Sequence, residues 1–299
     1  MLKLDGIACF VAVVESGSIS EAARQLQLSK SVISERLADL EQSLGVKLIH
    51  RTTRKHTLTK DGEMFLQRAA RIMRELEEAK SEMAESRGSL EGTLRISAPV
   101  TFGRMHLGPA VYPFLAQNPL LALTLDLDDR RVEVASSGYD GVVRHGVLED
   151  SRLTAWQLAP SKRILVASPK YLERWGTPTN VNDLSRHRGI YYTNRGAADW
   201  RFLDNEGATV VRAPAALRVN NGDVMRDAAV AGLGIALLPT FIVGESVRAG
   251  ALCMIDIGMS AATESIYIAH AEGRRPSARM RAFADSMRAA FGNPPYWDS

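Results

Sequence analysis

The stretch that most constrains this chain is residues 18–44, SISEAARQLQLSKSVISERLADLEQSL, because its spacing allows little besides two short helices joined by a tight turn. The first helix begins at Ser18 or Ser20, both good N-caps, and sets Ala22, Ala23 and Leu26 on one side, where small alanines let a second helix cross closely. The second begins near Ser29 to Ser31. It carries Ile33, Leu37, Leu40 and Leu44 at spacings of four, three and four, so these face inward while Ser31, Ser34, Glu35 and Ala38 face out. A helix with a short, polar, exposed N-terminal face suits the major groove of DNA. An ordinary helical hairpin with a solvated face is the plainer alternative.

The next residues favour the groove. After Gly45 comes VKLIHRTTRKHTLTKDG, in which Val46 to Ile49 and Thr57 to Thr59 flank the polar turn RTTRKH, the pattern of a β-wing. From Lys47 to Lys60 there are five basic side chains, Lys47, Arg51, Arg54, Lys55 and Lys60, and no acid, so the wing can lie on phosphates or enter a minor groove. Basic runs are commonly just solvated loops, but one placed directly after a helix pair points to nucleic acid. The formal charge of the 299-residue chain is only +3, and residues 1–60 hold nine bases against six acids, so the whole excess lies in the N-terminal fifth.

The segment FVAVVESGSISEAARQLQLSKSVISERLADLEQSLGVKLIHRTTRKHTLTKDG resembles the LysR-type transcriptional regulators of bacteria. The resemblance rests on Phe10, the Ser18 to Ala23 helix start, Leu28-Ser29, Ser34, Leu40-Glu41, Leu44-Gly45, Leu48, Arg51 and Leu58-Thr59 through to Gly62. Further on, LRISAPVTFGRMHLGP, ASPKYL and VNNGDVMRDAAVAGLGIALLP are similar to the branch with CrgA-like effector domains. Lys30 stands where the family often has Gln, and Glu35 where it often has a basic residue, which changes the bases read rather than the groove entered. The residues expected at DNA are Ser18, Arg24, Lys30, Ser31, Ser34, Glu35, Arg51, Thr53 and Arg54.

From about Thr59 to Arg87 the sequence reads as one long helix. Phe65, Ala69, Ile72, Leu76, Ala79 and Met83 alternate spacings of four and three, the seam of a coiled coil, with charges on the other faces. Such a stripe calls for a second copy of the chain; the alternative is that it packs on its own domain. A dimer would space two recognition helices about one DNA turn, or a multiple, apart and predicts an inverted-repeat operator. Gly88 and Gly92 in GSLEG read as a hinge.

Beyond the hinge, TLRISAP, ALTLDL, GYDGVV, RILVAS, RGIYYT and SIYIAH are strand candidates, with helices at RMHLGPAVYPFLAQ, DVMRDAAVAGL and SARMRAFADSMRAAF. That is an α/β pattern with a mostly parallel sheet. The resemblance implies a two-lobed domain like a periplasmic binding protein, crossed near residues 160–166 and 264–267. The expected organisation is a winged helix-turn-helix DNA-binding domain at 1–60, a dimerising linker helix at 61–87, a hinge at 88–92 and an effector-binding domain at 93–299. Lobe I would take about 93–162 and 267–299, and lobe II about 163–266.

Ligands in such sheets sit past the carboxyl ends of strands, where helix N-termini offer unpaired N–H groups to anions. SAPVTFG is such a place: Pro99 breaks the strand, and Thr101 can cap the next helix and turn toward a carboxylate. The resemblance places the effector cleft at Thr101 and Phe102 and around His145, Ser168, Asn194, Asn220 and Asn221. A small carboxylate, aromatic or not, is the expected effector. Closure of the lobes on it would alter the spacing of the heads. Each residue also has a plain reading, Thr101 as a cap, Asn220 or Asn221 as turn residues, His145 as a satisfied polar group.

Enzyme signatures are absent from the sequence: no G-x-S-x-G, no phosphate loop, no H-E-x-x-H, and six histidines without metal-ligand spacing. Gly232 and Gly234 lack the third glycine and acid of a dinucleotide site. Asp126, Asp128 and Asp129 could do acid–base work, but Arg130 and Arg131 follow and neutralise them. No metal or cofactor is expected. Cys9 and Cys253 lie far apart, without disulfide or zinc spacing; the first residues lack the basic start and apolar core of a signal peptide, so none is expected, and there is no apolar run of about 18 residues. The reading is a cytoplasmic regulator acting as a homotetramer, the dimer of dimers being implied by the family alone. Its rival is a small-molecule carrier or enzyme whose N-terminal helices only oligomerise.

Overall fold

The computed structural model describes residues 2–51, 56–85, 89–130, 138–146, 153–198, 200–204, 207–271 and 276–298. It divides into two compact units, Met1–Gly88 and Ser89–Ser299.

In the first unit α1 (Leu4–Ser16), α2 (Ile19–Gln25) and α3 (Lys30–Leu44) close around Phe10, Ala22, Ile33, Leu37 and Leu40, all at most 3% exposed. Ser18 caps α2, its side chain accepting the Glu21 N–H at 3.1 Å, and Ser29 caps α3 through the Val32 N–H at 3.3 Å, so both start signals in the sequence act as caps. The wing is an antiparallel pair, β1 (Ile49–Arg51) with β2 (His56–Leu58). It leads into α4 (Lys60–Glu85). Thr59 joins the two, its hydroxyl donating to the Lys47 carbonyl at 2.6 Å and accepting the Gly62 N–H at 2.9 Å. At Gly62 a Cβ would lie 2.1 Å from the Leu48 carbonyl oxygen, so no larger residue allows α4 to pass this close to the wing.

The second unit opens with β3 (Gly92–Ala98), then α5 (Val100–Phe102), which runs through a π-helical turn at Gly103–Leu107 into α6 (Gly108–Gln117). β4 (Leu121–Leu127), β5 (Gly141–Gly146) and β6 (Leu153–Ser161) follow, and the chain then enters a second lobe at β7 (Arg163–Ala167). There lie α7 (Pro169–Trp175), β8 (Gly189–Tyr192), β9 (Arg201–Asp204), β10 (Gly207–Val210), β11 (Ala215–Val219), α8 (Gly222–Val230), β12 (Ile235–Pro239), α9 (Thr240–Arg248), β13 (Cys253–Ile255) and β14 (Ser260–Ala261). β15 (Glu264–Ala271) returns to the first lobe, and α10 (Ala278–Phe291) packs on it.

The main sheets run β4-β3-β5-β15-β6 and β11-β8-β12-β7-β13. Each is mixed rather than mostly parallel. β3 is parallel to β4 and β5, and β8 to β11 and β12, but β15 is antiparallel to both its neighbours and so is β7. The reason is the double crossing: β6 and β15 pair with each other as the chain leaves and re-enters lobe I, which forces opposite directions. β12 shows no polar alternation because all five of its residues are buried, as in a strand covered on both faces. The lobes also share one apolar cluster, in which Leu94, Ile96 and Phe102 from lobe I meet Met225, Phe241 and Ile242 from lobe II. Parting the lobes widely would expose that cluster to water, a cost that opposes their separation.

Candidate nucleic-acid interface and effector cleft

The outward face of α3 begins with Lys30 and Ser31, both exposed, followed by half-buried Ser34 and exposed Glu35. Ser31 Oγ lies 2.8 Å from Ser29 Oγ. Ser18 serves as the α2 cap, and Arg24, four-fifths exposed, pairs with Glu21 one turn earlier. Arg51 closes β1, while Thr53, Arg54 and Gly88 lie outside the described residues.

One residue that matters here figures in the sequence only as part of the family resemblance, with no role of its own. Glu41 is 2% exposed at the buried side of α3, where its carboxylate accepts the Leu48 N–H at 2.9 Å, the Ile49 N–H at 3.3 Å and the Lys47 ammonium at 2.7 Å. It thereby ties the root of the wing to the helix that presents the polar face. Burial alone would raise this carboxyl; the three donors outweigh it and hold the group below its usual range. An acid inside the Leu37-Leu40-Leu44 stripe, six residues before Lys47, was the available signal.

The long-helix stripe divides in two. Phe65 packs against Phe10 in a tilted pair, 5.6 Å between ring centres, and Ala69 is fully buried in the head's own core, so these two seam positions are taken by their own unit. Farther along, Leu76 is half-buried, Ala79 is exposed, and Ile72 and Met83 are 37% and 65% exposed. The same four–three spacing serves head packing first and leaves apolar surface outward once the head ends.

In the effector unit the anticipated anion site is already filled. The Val100 N–H, the first free donor after β3, binds the Asp129 carboxylate at 3.0 Å. Thr101 does not cap α5; it lies within the helix, 5% exposed, and its hydroxyl donates to Asp223 of α8 at 3.1 Å. Arg104 reaches the same carboxylate at 2.5 Å and Arg226 at 3.2 Å. Gly222 makes this approach possible, since a Cβ there would lie 2.6 Å from Ile242 Cδ1 and 3.3 Å from Thr101 Oγ1.

Two further expectations are corrected by burial. Phe102 is 1% exposed, packed edge-on against Phe241, Phe291 and Trp297 at 5.2, 5.5 and 6.0 Å, so it belongs to the shared core and offers nothing to a ligand. Ser168 is 3% exposed and caps α7 by accepting the Tyr171 N–H at 3.3 Å. The resemblance placed both at the cleft; here Phe102, the residue after Thr101 on α5, faces the apolar core, and Ser168 is committed to the N-cap of α7. Asn220, Asn221 and Asn194 lie at turns near the start of α5 and the Asp128-Asp129 segment. Asn221 caps α8 through the Val224 N–H at 3.1 Å, and Asn194 donates to the Asp129 carbonyl at 3.1 Å across the lobes. A cavity of about 350 Å³ is lined by Val100, Leu127, Asp128, Asp129, Arg130, Asn220 and Asn221. Burial raises the Asp129 carboxyl, opposed by the Val100 N–H and helped by Asp128, while the Arg130 guanidinium keeps Asp128 low.

His145 lies where the chain crosses between lobes. Its Nε2 is 2.9 Å from Ser161 Oγ and 3.1 Å from Glu264 Oε2, and Arg195 grips that glutamate with both nitrogens at 2.5 and 2.7 Å. Burial pushes His145 down to about 3, against the attraction of Glu264 and with the help of Arg195 and Arg163, so the ring is neutral. A serine, a histidine and an acid thus meet, but not as a nucleophilic triad. Ser161 and Glu264 share one ring nitrogen instead of bracketing the imidazole, and Ser161 is 1% exposed.

Two family models match this architecture: a bacterial regulatory helix-turn-helix of the lysR family over residues 4–63, and a LysR substrate binding domain over residues 87–292. The chain is 33% identical to the regulator PtxR of Pseudomonas aeruginosa, covering 99% of this chain and 95% of that one. It is 32% identical to CrgA of Neisseria meningitidis, covering 96% of each. Among solved structures, CrgA matches with a TM-score of 0.61 at 29% identity, covering 97% of this chain and 99% of that one. The full-length Vibrio cholerae virulence activator AphB matches with a TM-score of 0.61 at 27% identity, covering 96% and 99%. Winged head and two-lobed domain together define a DNA-binding transcriptional regulator with a ligand-responsive module. The chain belongs to the LysR-type regulators, with CrgA among its relatives, and its partners are double-stranded DNA and a small-molecule effector.

Proposed function

We propose that this regulator acts in the cytoplasm as a dimer of dimers on an inverted-repeat operator, has no catalytic activity, and answers to a small carboxylate bound between its lobes. The observation that carries the DNA reading is the polar start of α3, Lys30, Ser31, Ser34 and Glu35, beside a wing root that Glu41 holds to the same helix. Lys30 and Glu35 read base edges, Glu35 accepting from a cytosine amino group, while Arg51, Thr53 and Arg54 of the wing track the backbone or minor groove. Ile72, Leu76, Ala79 and Met83 supply the dimer contact. The carboxylate reading is supported by the cleft's own behaviour: its donors, Val100 N–H, Thr101 Oγ and Arg104, each hold a carboxylate already. Asn194, Asn220 and Asn221 would supply neutral hydrogen bonds, and His145 would support the cleft wall rather than touch ligand. Domain limits follow as head 1–60, linker 61–87, hinge 88–92 and effector domain 93–299.

The test is fluorescence anisotropy on duplex DNA from upstream of the chain's own coding region, across a salt series. Arg54→Ala should weaken all sequences alike and flatten the salt slope by about one unit, whereas Lys30→Ala should lose roughly 1–3 kcal/mol of base discrimination. Unchanged binding in both variants refutes the interface, and the absence of salt-dependent binding by the wild type favours the carrier or enzyme reading.

A further inference from the structure

Asp223 sits in the first turn of α8 in lobe II, its side chain 18% exposed, and two of its three donors, Thr101 and Arg104, come from lobe I. A carboxylate in that position carries its own favourable interaction with the α8 N-terminus and a charge-assisted bond to Arg104. It does for these donors what a bound anion would do. The neighbouring cavity is lined in part by Asn220 and Asn221, three and two residues before Asp223, so it abuts the start of α8.

We propose that Asp223 is a built-in occupant of the effector cleft and that an external carboxylate works by displacing it from Thr101 and Arg104. This rests on the cleft reading above and adds the mode of regulation. With no ligand, Asp223 ties α8 to Thr101 of α5 and to Arg104 of the π-helical turn that follows it. When a ligand carboxylate takes Arg104 and the Thr101 hydroxyl, Asp223 is left with Arg226, and α8 shifts slightly while the shared apolar cluster keeps the lobes together. The effector then pays for breaking an internal contact, and its affinity reports the difference between the two. An intramolecular competitor has an effective concentration of about millimolar or more, which weakens any external carboxylate accordingly.

The experiment uses the full chain with Asp223→Ser, Asp223→Asn and, as a control on the same helix, Asp227→Asn, whose carboxylate is 66% exposed and pairs only with Arg226 among the described residues. Benzoate and malonate are titrated by calorimetry, with benzamide as the neutral counterpart of benzoate. The expected result is that Asp223→Ser binds at least one of the two carboxylates about tenfold more tightly than wild type or Asp227→Asn, with no gain for benzamide. Adding Arg104→Gln should abolish the gain. Circular dichroism and melting identify a misfolded variant, and Asp223→Asn, nearly isosteric, then carries the comparison. No gain for either carboxylate in a folded variant, or a gain that survives Arg104→Gln, overturns the proposal. Operator binding is measured on the same samples: its loss in wild type refutes the regulatory reading alone, and its retention with no carboxylate gain refutes the displacement alone.

Discussion

Replacing Glu41 tests the link between recognition helix and wing. In Glu41→Ala the Leu48 and Ile49 N–H groups, both in buried residues, lose their acceptor. Each unsatisfied buried amide costs about 1–3 kcal/mol, so the pair gives about 2–6. The Lys47 contact adds little, because its side chain is 73% exposed and water screens the charge. The Leu48 and Ile49 N–H groups share one oxygen, Oε1, so Glu41→Gln can keep both as neutral bonds, loses their charge assistance, and should cost less, about 1–2 kcal/mol. Stability also acquires a pH signature. The folded carboxyl lies below its ordinary 4.5, so its contribution is fully present above that value and is lost as pH falls through the folded value. The Glu41→Gln penalty measured by urea denaturation should therefore be largest at neutral pH and shrink toward pH 3. Operator affinity should fall with it, since the wing loses its anchor. A Glu41→Gln protein matching wild type in stability at pH 7, or a penalty that does not change with pH, refutes the reasoning.

Two other outcomes follow from the same structure. Leu76→Asp places a charge in the proposed helix–helix seam, so oligomer mass by light scattering and operator affinity should drop together, and a wild-type chain already monomeric at micromolar concentration removes the basis for that seam. His145 is neutral when folded, with a value near 3 against an ordinary 6.5, so stability should be flat above about pH 6.5 and decline between there and pH 3; His145→Gln should flatten that decline, and an NMR titration of the ring near 6.5 in the folded protein contradicts its burial.

The local half of this protein is legible in its sequence. Ser18 and Ser29 cap because a hydroxyl before a helix has donors within reach in the next turn, and Ile33, Leu37 and Leu40 face inward because the helical period puts them there. The resemblance extended this to the two-lobed domain. What the tertiary structure alone decided are contacts whose partners lie far apart in sequence. The Val100 N–H is a free donor in any local reading and becomes a filled one only because Asp129 folds back across the sheet end. Thr101 and Asp223 are 122 residues apart, and nothing near either announces the other. The stripe on α4 reads as a single seam, yet Phe65 and Ala69 belong to the head. Periodicity reports which side of a helix is apolar, and only the packing of the whole chain decides which surface covers it.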